Sequence, residues 1–362
     1  MVGVEPTLIV IIMIKEVNFM KPAYVIIMEF IKNKILSREL KPGDKVPSEN
    51  ELARMFNVSR LTARKALENL EYEGIVTRIQ GLGTFVSSSQ EMLKGKKVGV
   101  MVTNYQDTRS ALLFGITRTL QKFEIDVIPF SIDVDPFYEE KVLRELLKSG
   151  IKGLIMEPRI TSLSNSLLLS LINEKFPIVF VDRVIEGFPK VPSVTSDNKS
   201  GGKLIGKHMK KHCVTKVLFV TEESLEVSSV RERFEGLKEE VEEVSWKLVV
   251  DYDKDFGDIA EMISKGKINA IFFCNDYLAI RGISFLKNFQ KIGVYGFDNL
   301  RASLYVHPRL TTVNQDFQAM GELAAFQLIK IFLGEPISIE ERIPVSLVVR
   351  ESCGCTKSKK LL

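Results

Sequence analysis

The chain has 362 residues, 45% of them apolar and 27% charged, with a formal net charge of +4. Such a length and apolar content allow more than one domain with a substantial core. The near-neutral balance excludes a chain that holds nucleic acid by overall basicity, so any such contact must come from local clustering.

Residues 8–14 form an apolar run too short for a bilayer, which takes about 20 apolar residues. The run also lacks the basic start and small-residue cleavage site of a secretory signal. Residues 1–19 are therefore read as an extension upstream of a start at Met20, and no membrane partner is expected. Cys213, Cys274, Cys353 and Cys355 fit neither a disulfide framework nor a spaced zinc-ligand set, which points to a reducing cytoplasm.

Residues 23–38 carry a helical pattern that Lys41-Pro42-Gly43-Asp44 breaks. Residues 47–86 then predict two short helices and a two-stranded ribbon. Ser48 can cap the first helix, with Glu51 closing a capping box, and Ser59 can cap the second. On the second helix Ala63, Ala66, Leu67 and Leu70 share one side, leaving Leu61, Arg64, Lys65 and Glu68 on the other. Gly74 ends that helix, and residues 75–79 and 84–87 read as strands around the turn Gln80-Gly81-Leu82-Gly83. The result is a helix-turn-helix with a wing. Residues 20–90 hold 11 Lys and Arg against 8 Asp and Glu, which places +3 of the chain's +4 in this head.

Residues 87–95 are polar and lack a periodic apolar face, so they read as a linker. The expected domains are thus the head over 20–88, a linker over 89–95 and a larger unit over 96–362. In that unit the runs KVGVMV, DVIPFSI, GLIMEP, PIVFVD, KVLFVT, WKLVVDY, AIFFCND and KIGVYGFD alternate with amphipathic segments at 110–123, 139–147 and 201–211. This alternation predicts parallel sheets with helices on both faces. Eight such strands over about 200 residues fit two linked α/β lobes with a cleft between them.

Open parallel sheets bind ligands beyond the carboxyl ends of their strands. Those ends carry Asn104 and Tyr105, Asp182 and Arg183, Asn275 and Asp276, and Asp298 and Asn299. Each could equally cap the helix that follows. As a set, carboxylates, amides and an arginine suit a polyhydroxylated ligand, because each sugar hydroxyl both donates and accepts. Phe256 or Tyr105 could cover the apolar face of its ring.

Through PSENELA, NVSRLTARKALENLEYEG and RIQGLGTFV the head resembles the winged helix-turn-helix of the GntR family. The remainder resembles the sugar-sensing domain of the LacI/GalR family, itself similar to periplasmic sugar-binding proteins. That likeness rests on VDR at 181–183, GGKLIGKHM at 201–209, RERFEGL at 231–237, CNDYLA at 274–279, VYGFDN at 294–299 and TTVNQDFQAMGELAA at 311–325. The pairing is similar to that of the bacterial arabinose repressors.

The first resemblance implies that the turn Ser59-Arg60-Leu61-Thr62-Ala63-Arg64 enters the major groove of operator DNA. The arginines would read guanine, the hydroxyls of Ser59 and Thr62 would hold phosphate, and Leu61 would meet a thymine methyl. Ser48 and Glu49 at the start of the first helix, and Gln80 and Gly81 in the wing, complete the expected DNA-contacting set. For Arg60, Arg64 and Lys65 the competing view is a solvated helix face. The second resemblance places ligand contacts on Asp182, Arg233, Phe256, Asn275, Asp298 and Gln315, to which the strand-end rule adds Tyr105. For Asp298 with Arg233 the alternative is a purely structural ion pair.

Other chemistry finds less support. Gly81-Leu82-Gly83 lacks the third glycine and following helix of a dinucleotide site. His208 and His212 stand one turn apart with no third metal ligand in evidence, and Cys353 and Cys355 have no matching partner pair. No metal, cofactor or catalytic residue is expected. The function expected is a dimeric repressor of sugar-utilisation genes, released from a pseudo-palindromic operator by a small sugar. L-arabinose is the ligand the domain pairing implies. Ligand-dependent activation or corepression, a sugar-transport binding protein and a sugar-processing enzyme are the alternatives.

Overall fold

The computed structural model describes residues 21–79, 82–103, 107–132, 136–185, 187, 190–286 and 292–355. Two compact units divide close to Lys94. The expectations for residues 1–19, Gln80, Gly81, Asn104 and Tyr105 lie outside the described residues.

The first unit opens with helix α1 (Ala23–Leu36), which buries Ile27, Met28 and Ile31. Helices α2 (Glu49–Phe56) and α3 (Arg60–Tyr72) follow. Both start where a side chain satisfies first-turn amides. Ser48 Oγ accepts from the Glu51 amide while Glu51 accepts from the Ser48 amide, and Ser59 Oγ accepts from the Thr62 amide. Leu52 of α2 and Ala63, Ala66, Leu67 and Leu70 of α3 are buried with the α1 residues in one cluster. Gly74, with φ +74°, turns the chain out of α3. Strands β1 (Val76–Ile79) and β2 (Gly83–Val86) then pair antiparallel from Val76 opposite Val86 to Ile79 opposite Gly83. Lys45 adds an antiparallel bridge to Phe85, so the wing is tied back to the loop before α2.

Where composition suggests a bare tether, the chain forms a short helix, α4 (Ser89–Leu93). Ser88 and Glu91 close a second capping box at its start. Leu93 is fully buried and Met92 nearly so. The overlooked signal is Ser-x-x-Glu ahead of two apolar residues.

Among its described residues the second unit holds two six-stranded sheets. One lobe contains β3 (Lys97–Thr103), β4 (Asp126–Ile132), β5 (Gly153–Met156), β6 (Ile178–Val181), β7 (Ser193–Ser196) and, from near the end of the chain, β13 (Glu340–Ile343). All its pairings are parallel, in the order β13-β7-β6-β5-β3-β4. The other contains β8 (Lys216–Thr221), β9 (Glu243–Leu248), β10 (Ala270–Phe273), β11 (Gly293–Asp298), β12 (Thr311–Asn314) and β14 (Ser346–Val348). Its order is β14-β12-β11-β10-β8-β9, with β14 alone antiparallel. The chain passes between the lobes after β7, after β12 and after β13.

Helices cover these sheets, among them α5 (Asp107–Gln121), α6 (Pro136–Lys148), α7 (Ser166–Asn173) and α8 (Asn198–Lys211). On the second lobe lie α9 (Ser228–Lys238), α10 (Tyr252–Ser264) and α11 (Asp276–Phe285), before α12 (Phe317–Leu333). Strands β5, β6 and β10 are buried at every position. Their unbroken apolar runs follow from cover on both faces. β7, β12 and β13 were not foreseen, because they are short, polar-rich and lack such runs, and β14 was not foreseen although it is apolar, because it is only three residues long. None of the helices among the described residues is long and apolar enough to cross a membrane.

Close backbone packing sets the helices beneath the cleft. A Cβ on Gly202 of α8 would lie 2.1 Å from the Arg233 carbonyl oxygen, and one on Gly236 of α9 would lie 2.1 Å from that of Lys199. Only glycine permits this approach, which fixes the helix carrying Arg233.

Candidate functional site

The carboxyl ends of the strands in the two lobes face a common cavity of about 320 Å³. From the first lobe come Arg109, Asp182 and Arg183, and from the second Glu223, Arg233 and Asp298.

In the first lobe Glu157, directly after β5, is 1% exposed and Asp182, directly after β6, 2% exposed. Two guanidinium groups neutralise them. Arg109 donates to Glu157 at 2.5 and 3.0 Å and to Asp182 at 3.1 Å, and Arg183 donates to Asp182 at 3.2 Å. The Thr103 hydroxyl and amide donate to Glu157 at 2.8 and 3.2 Å. Burial pushes both carboxyls up, but Arg109 and Arg183 outweigh it and hold them below the ordinary range. Asp182 adopts φ +67°, a left-handed conformation unusual for a non-glycine residue.

In the second lobe Arg233 donates from Nε to Asn198 at 2.8 Å and from Nη1 to the Cys274 carbonyl at 2.6 Å. Its guanidinium carbon lies 3.8 Å from the centroid of Phe297. These contacts hold the guanidinium plane in place while Nη2 makes no hydrogen bond among the described residues. Asp298 accepts from Gln315 Nε2 at 2.6 Å and is held at φ +124°. Burial raises its carboxyl to about 6, against the pull of Arg233 and Arg109. Strained backbone of this kind at a cavity edge is a mark of functional constraint.

Not every expected ligand contact lies here. Asp182, Arg233, Asn275 and Asp298 all line the cavity. The Asn275 oxygen is also committed to capping α11, accepting from the Leu278 amide at 2.8 Å, so its cap and site roles coexist. Gln315 stands behind Asp298 rather than on the cavity wall, and its buried Oε1 makes no hydrogen bond among the described residues. Phe256 is displaced: it is 1% exposed, stacks on Phe285 at 4.9 Å and belongs to the lobe's core. The aromatics that reach the cavity are Tyr252, one helical turn earlier on α10, and Tyr277 at the start of α11. Asp276 also turns inward, accepting from Thr312 at 2.6 Å and the Leu300 amide at 2.8 Å. Sequence reasoning passed over Arg109, Glu157 and Glu223. Glu157 and Glu223 follow strands as Asp182 does and obey the same rule; Arg109 sits inside a helix and gives no such signal.

In the first unit Leu61, at 73% exposure, stands out from the start of α3 with Arg60 and Arg64. Glu49 organises them: it accepts from Arg60 Nε at 2.9 Å and from Arg64 Nε at 3.1 Å. Burial pushes the Glu49 carboxyl up, but the two arginines prevail and hold it low. Its oxygens face cations, so Glu49 positions the arginines and is not itself placed to meet phosphate. Ser59 Oγ and Thr62 Oγ1 lie 2.8 Å apart. Lys65 instead rests over the Tyr24 ring at 4.3 Å.

The model for the periplasmic binding protein domain matches residues 98–336, most of the chain. The chain belongs to that family. Its head is a helix-turn-helix of the family described as bacterial regulatory proteins, gntR family, matched over residues 23–86. An arabinose metabolism transcriptional repressor from Geobacillus stearothermophilus is 28% identical over 333 residues, covering 86% of this chain and 91% of its own. The head alone is 50% identical over 66 residues to the HTH-type transcriptional repressor NagR of Bacillus subtilis, covering 18% of this chain and 27% of that one. Among solved structures, the transcription regulator CcpA of Lactococcus lactis superposes with a TM-score of 0.64 at 22% identity, covering 72% of this chain and 99% of its own. Periplasmic-binding-type lobes behind a gntR-type head are therefore the architecture of this chain.

Proposed function

We propose that the chain is a sugar-responsive, DNA-binding repressor and not an enzyme. The observation that carries this reading is the charge balance of a cleft shared by two lobes. Among the described residues Arg109, Arg183, Arg233 and Arg281 face Asp182, Glu222, Glu223 and Asp298, four cations against four carboxylates. A neutral ligand with many hydroxyls suits such a wall, because each hydroxyl can accept from a guanidinium and donate to a carboxylate.

In this account Asp182, Arg233, Asn275 and Asp298 contact the sugar and Tyr252 covers its apolar face. Gln315 holds Asp298 from behind the wall through its Nε2. Arg60, Leu61 and Arg64 read bases in the major groove, Ser59 and Thr62 hold phosphate, and Gln80 and Gly81 extend the contact from the wing. Two chains pair so that two heads reach two half-sites.

Sugar drives release only through a difference in affinity between the two states, and about 3 kcal/mol corresponds to roughly 150-fold in operator affinity. L-arabinose is the first sugar to test, given the relative that regulates arabinose metabolism. A thermal-shift screen of L-arabinose, D-ribose, D-galactose and D-glucose on the full chain tests the reading. One sugar raising the melting temperature in a saturable way supports it, since a ligand that binds the native state stabilises it. No response to any neutral sugar would remove it.

A further inference from the structure

A second constellation lies at the opposite end of β11 from Asp298, about 16 Å of strand away. Its members come from distant parts of the chain. His208 is on the last turn of α8, and Cys353 and Cys355 follow β14. Ser352 anchors the tail: its carbonyl accepts from the Val294 amide at 2.9 Å, and its hydroxyl accepts from the Thr311 amide at 2.8 Å. Gly354, at φ +79°, then reverses the chain. This brings Cys355 Sγ to 3.1 Å from His208 Nε2. The imidazole nitrogen and both sulfurs lie within 4.8 Å of one another.

Two further observations point to a ligand there. The Tyr295 hydroxyl is buried without a hydrogen-bond partner among the described residues. It lies on the same side, since an atom on Gly293 would be 3.5 Å from that hydroxyl and 3.6 Å from the Cys353 carbonyl oxygen. His212 stands one turn beyond His208, with ring centroids 4.8 Å apart.

We propose that His208, Cys353 and Cys355 bind a zinc ion, with His212 as the fourth ligand. Two thiolates and an imidazole are the donor set zinc favours, and tetrahedral bonds of about 2.0–2.3 Å would bring neighbouring donors to roughly 3.4–3.8 Å. For His208, Cys353 and Cys355 the observed spread closes to that with shifts of about 1 Å. Binding expels the two thiol protons to solvent. The Tyr295 hydroxyl then gains a thiolate acceptor of the kind that supports metal ligands from outside. The ion would clip the C-terminal tail to α8, the helix packed against the one that carries Arg233. Spacing along the sequence could not reveal this set, because 147 residues separate His208 from Cys355.

The test is cobalt substitution. Full-length protein, reduced and stripped with a chelator, is titrated with Co²⁺ without oxygen. The expected result is saturation at one ion per chain, with thiolate-to-cobalt charge-transfer absorption and the visible bands of tetrahedral cobalt, both bleached by Zn²⁺. Cys355→Ser should lose about half of the charge-transfer intensity, one of two thiolates being gone, His212→Ala should change the visible bands, and Cys213→Ser should change neither. Absence of charge-transfer absorption in the wild type, or its survival in a Cys353→Ser, Cys355→Ser double variant, overturns the proposal. Should that double variant fail to fold, His208→Gln decides: a cobalt spectrum identical to wild type overturns it. A Cys353–Cys355 disulfide that forms in air, together with no cobalt binding after reduction, also overturns it.

Discussion

Arg183 of one lobe donates from Nη1 to Glu223 Oε1 of the other at 2.6 Å, directly across the cleft. The same guanidinium neutralises Asp182 beneath it. One side chain thus joins the closure of the lobes to the charge balance of the wall.

Its two partners differ in burial, so losing Glu223 alone should cost less than losing Arg183 itself. Glu223 keeps 39% of its side chain exposed, so Glu223→Gln should cost less than about 1 kcal/mol in urea unfolding. Arg183→Ala strips a cation from two buried carboxylates and should cost about 3 kcal/mol, with Arg109 alone left to hold them. Equal losses in the two variants would show that the pair across the cleft, and not the buried network, dominates.

Asp298 predicts a pH dependence of defined sign. Its folded carboxyl titrates near 6, raised by burial. Stability from its protonated form is therefore fully present below about pH 4 and lost as pH rises through 6, amounting to at most about 3 kcal/mol. Asp298→Asn should remove that decline, which paired unfolding curves between pH 4 and 7 would reveal. Ligand hydroxyls donating to the carboxylate favour its ionised form. Sugar affinity should then strengthen as pH rises through about 6 in the wild type, with a flatter profile in Asp298→Asn.

On α10, core and site are four residues apart. Phe256→Ala should destabilise the protein by about 3–5 kcal/mol, as loss of a buried ring does. Tyr252→Ala should change sugar affinity at least tenfold with a far smaller effect on melting. Calorimetric titration beside thermal melting separates the two, and the reverse pattern would return Phe256 to the cleft.

Much of this was legible because local chemistry and tertiary structure agree. Ser48 with Glu51, Ser59 and Gly74 punctuate the head as their side chains and backbone require, and GLIM, IVFV and AIFF declare buried parallel strands. Asp182 and Asp298 follow from the rule on strand ends. The failures share a cause, which is that partnership over long separations leaves no local mark. Arg109 matters because Glu157 and Asp182 lie behind it, and nothing in the helix pattern of α5 says so. Phe256 and Tyr252 stand on adjacent turns with similar chemistry, and only the packing of Phe285 decides which is core. The Ser88 and Glu91 box was readable, but the polar composition around it hid the signal.

In the head, Arg64→Ala should weaken operator binding about 10- to 100-fold, the value of one bidentate base contact, while circular dichroism stays unchanged. Glu49→Gln removes the carboxylate that orients both Arg60 and Arg64. It should reduce discrimination between operator and unrelated DNA while raising affinity for the latter, because a negative charge leaves the surface. Retained site-specific binding by Arg64→Ala would remove α3 from the role of reading helix.

The measurement that tests the account most directly is fluorescence anisotropy of the full chain on DNA from upstream of its own gene, at fixed salt, with and without a sugar already shown to stabilise it. Saturating sugar should weaken binding on the order of 100-fold, and Arg233→Ala should abolish this response while leaving sugar-free DNA affinity intact. DNA affinity unchanged by a sugar that demonstrably occupies the cleft would contradict the account.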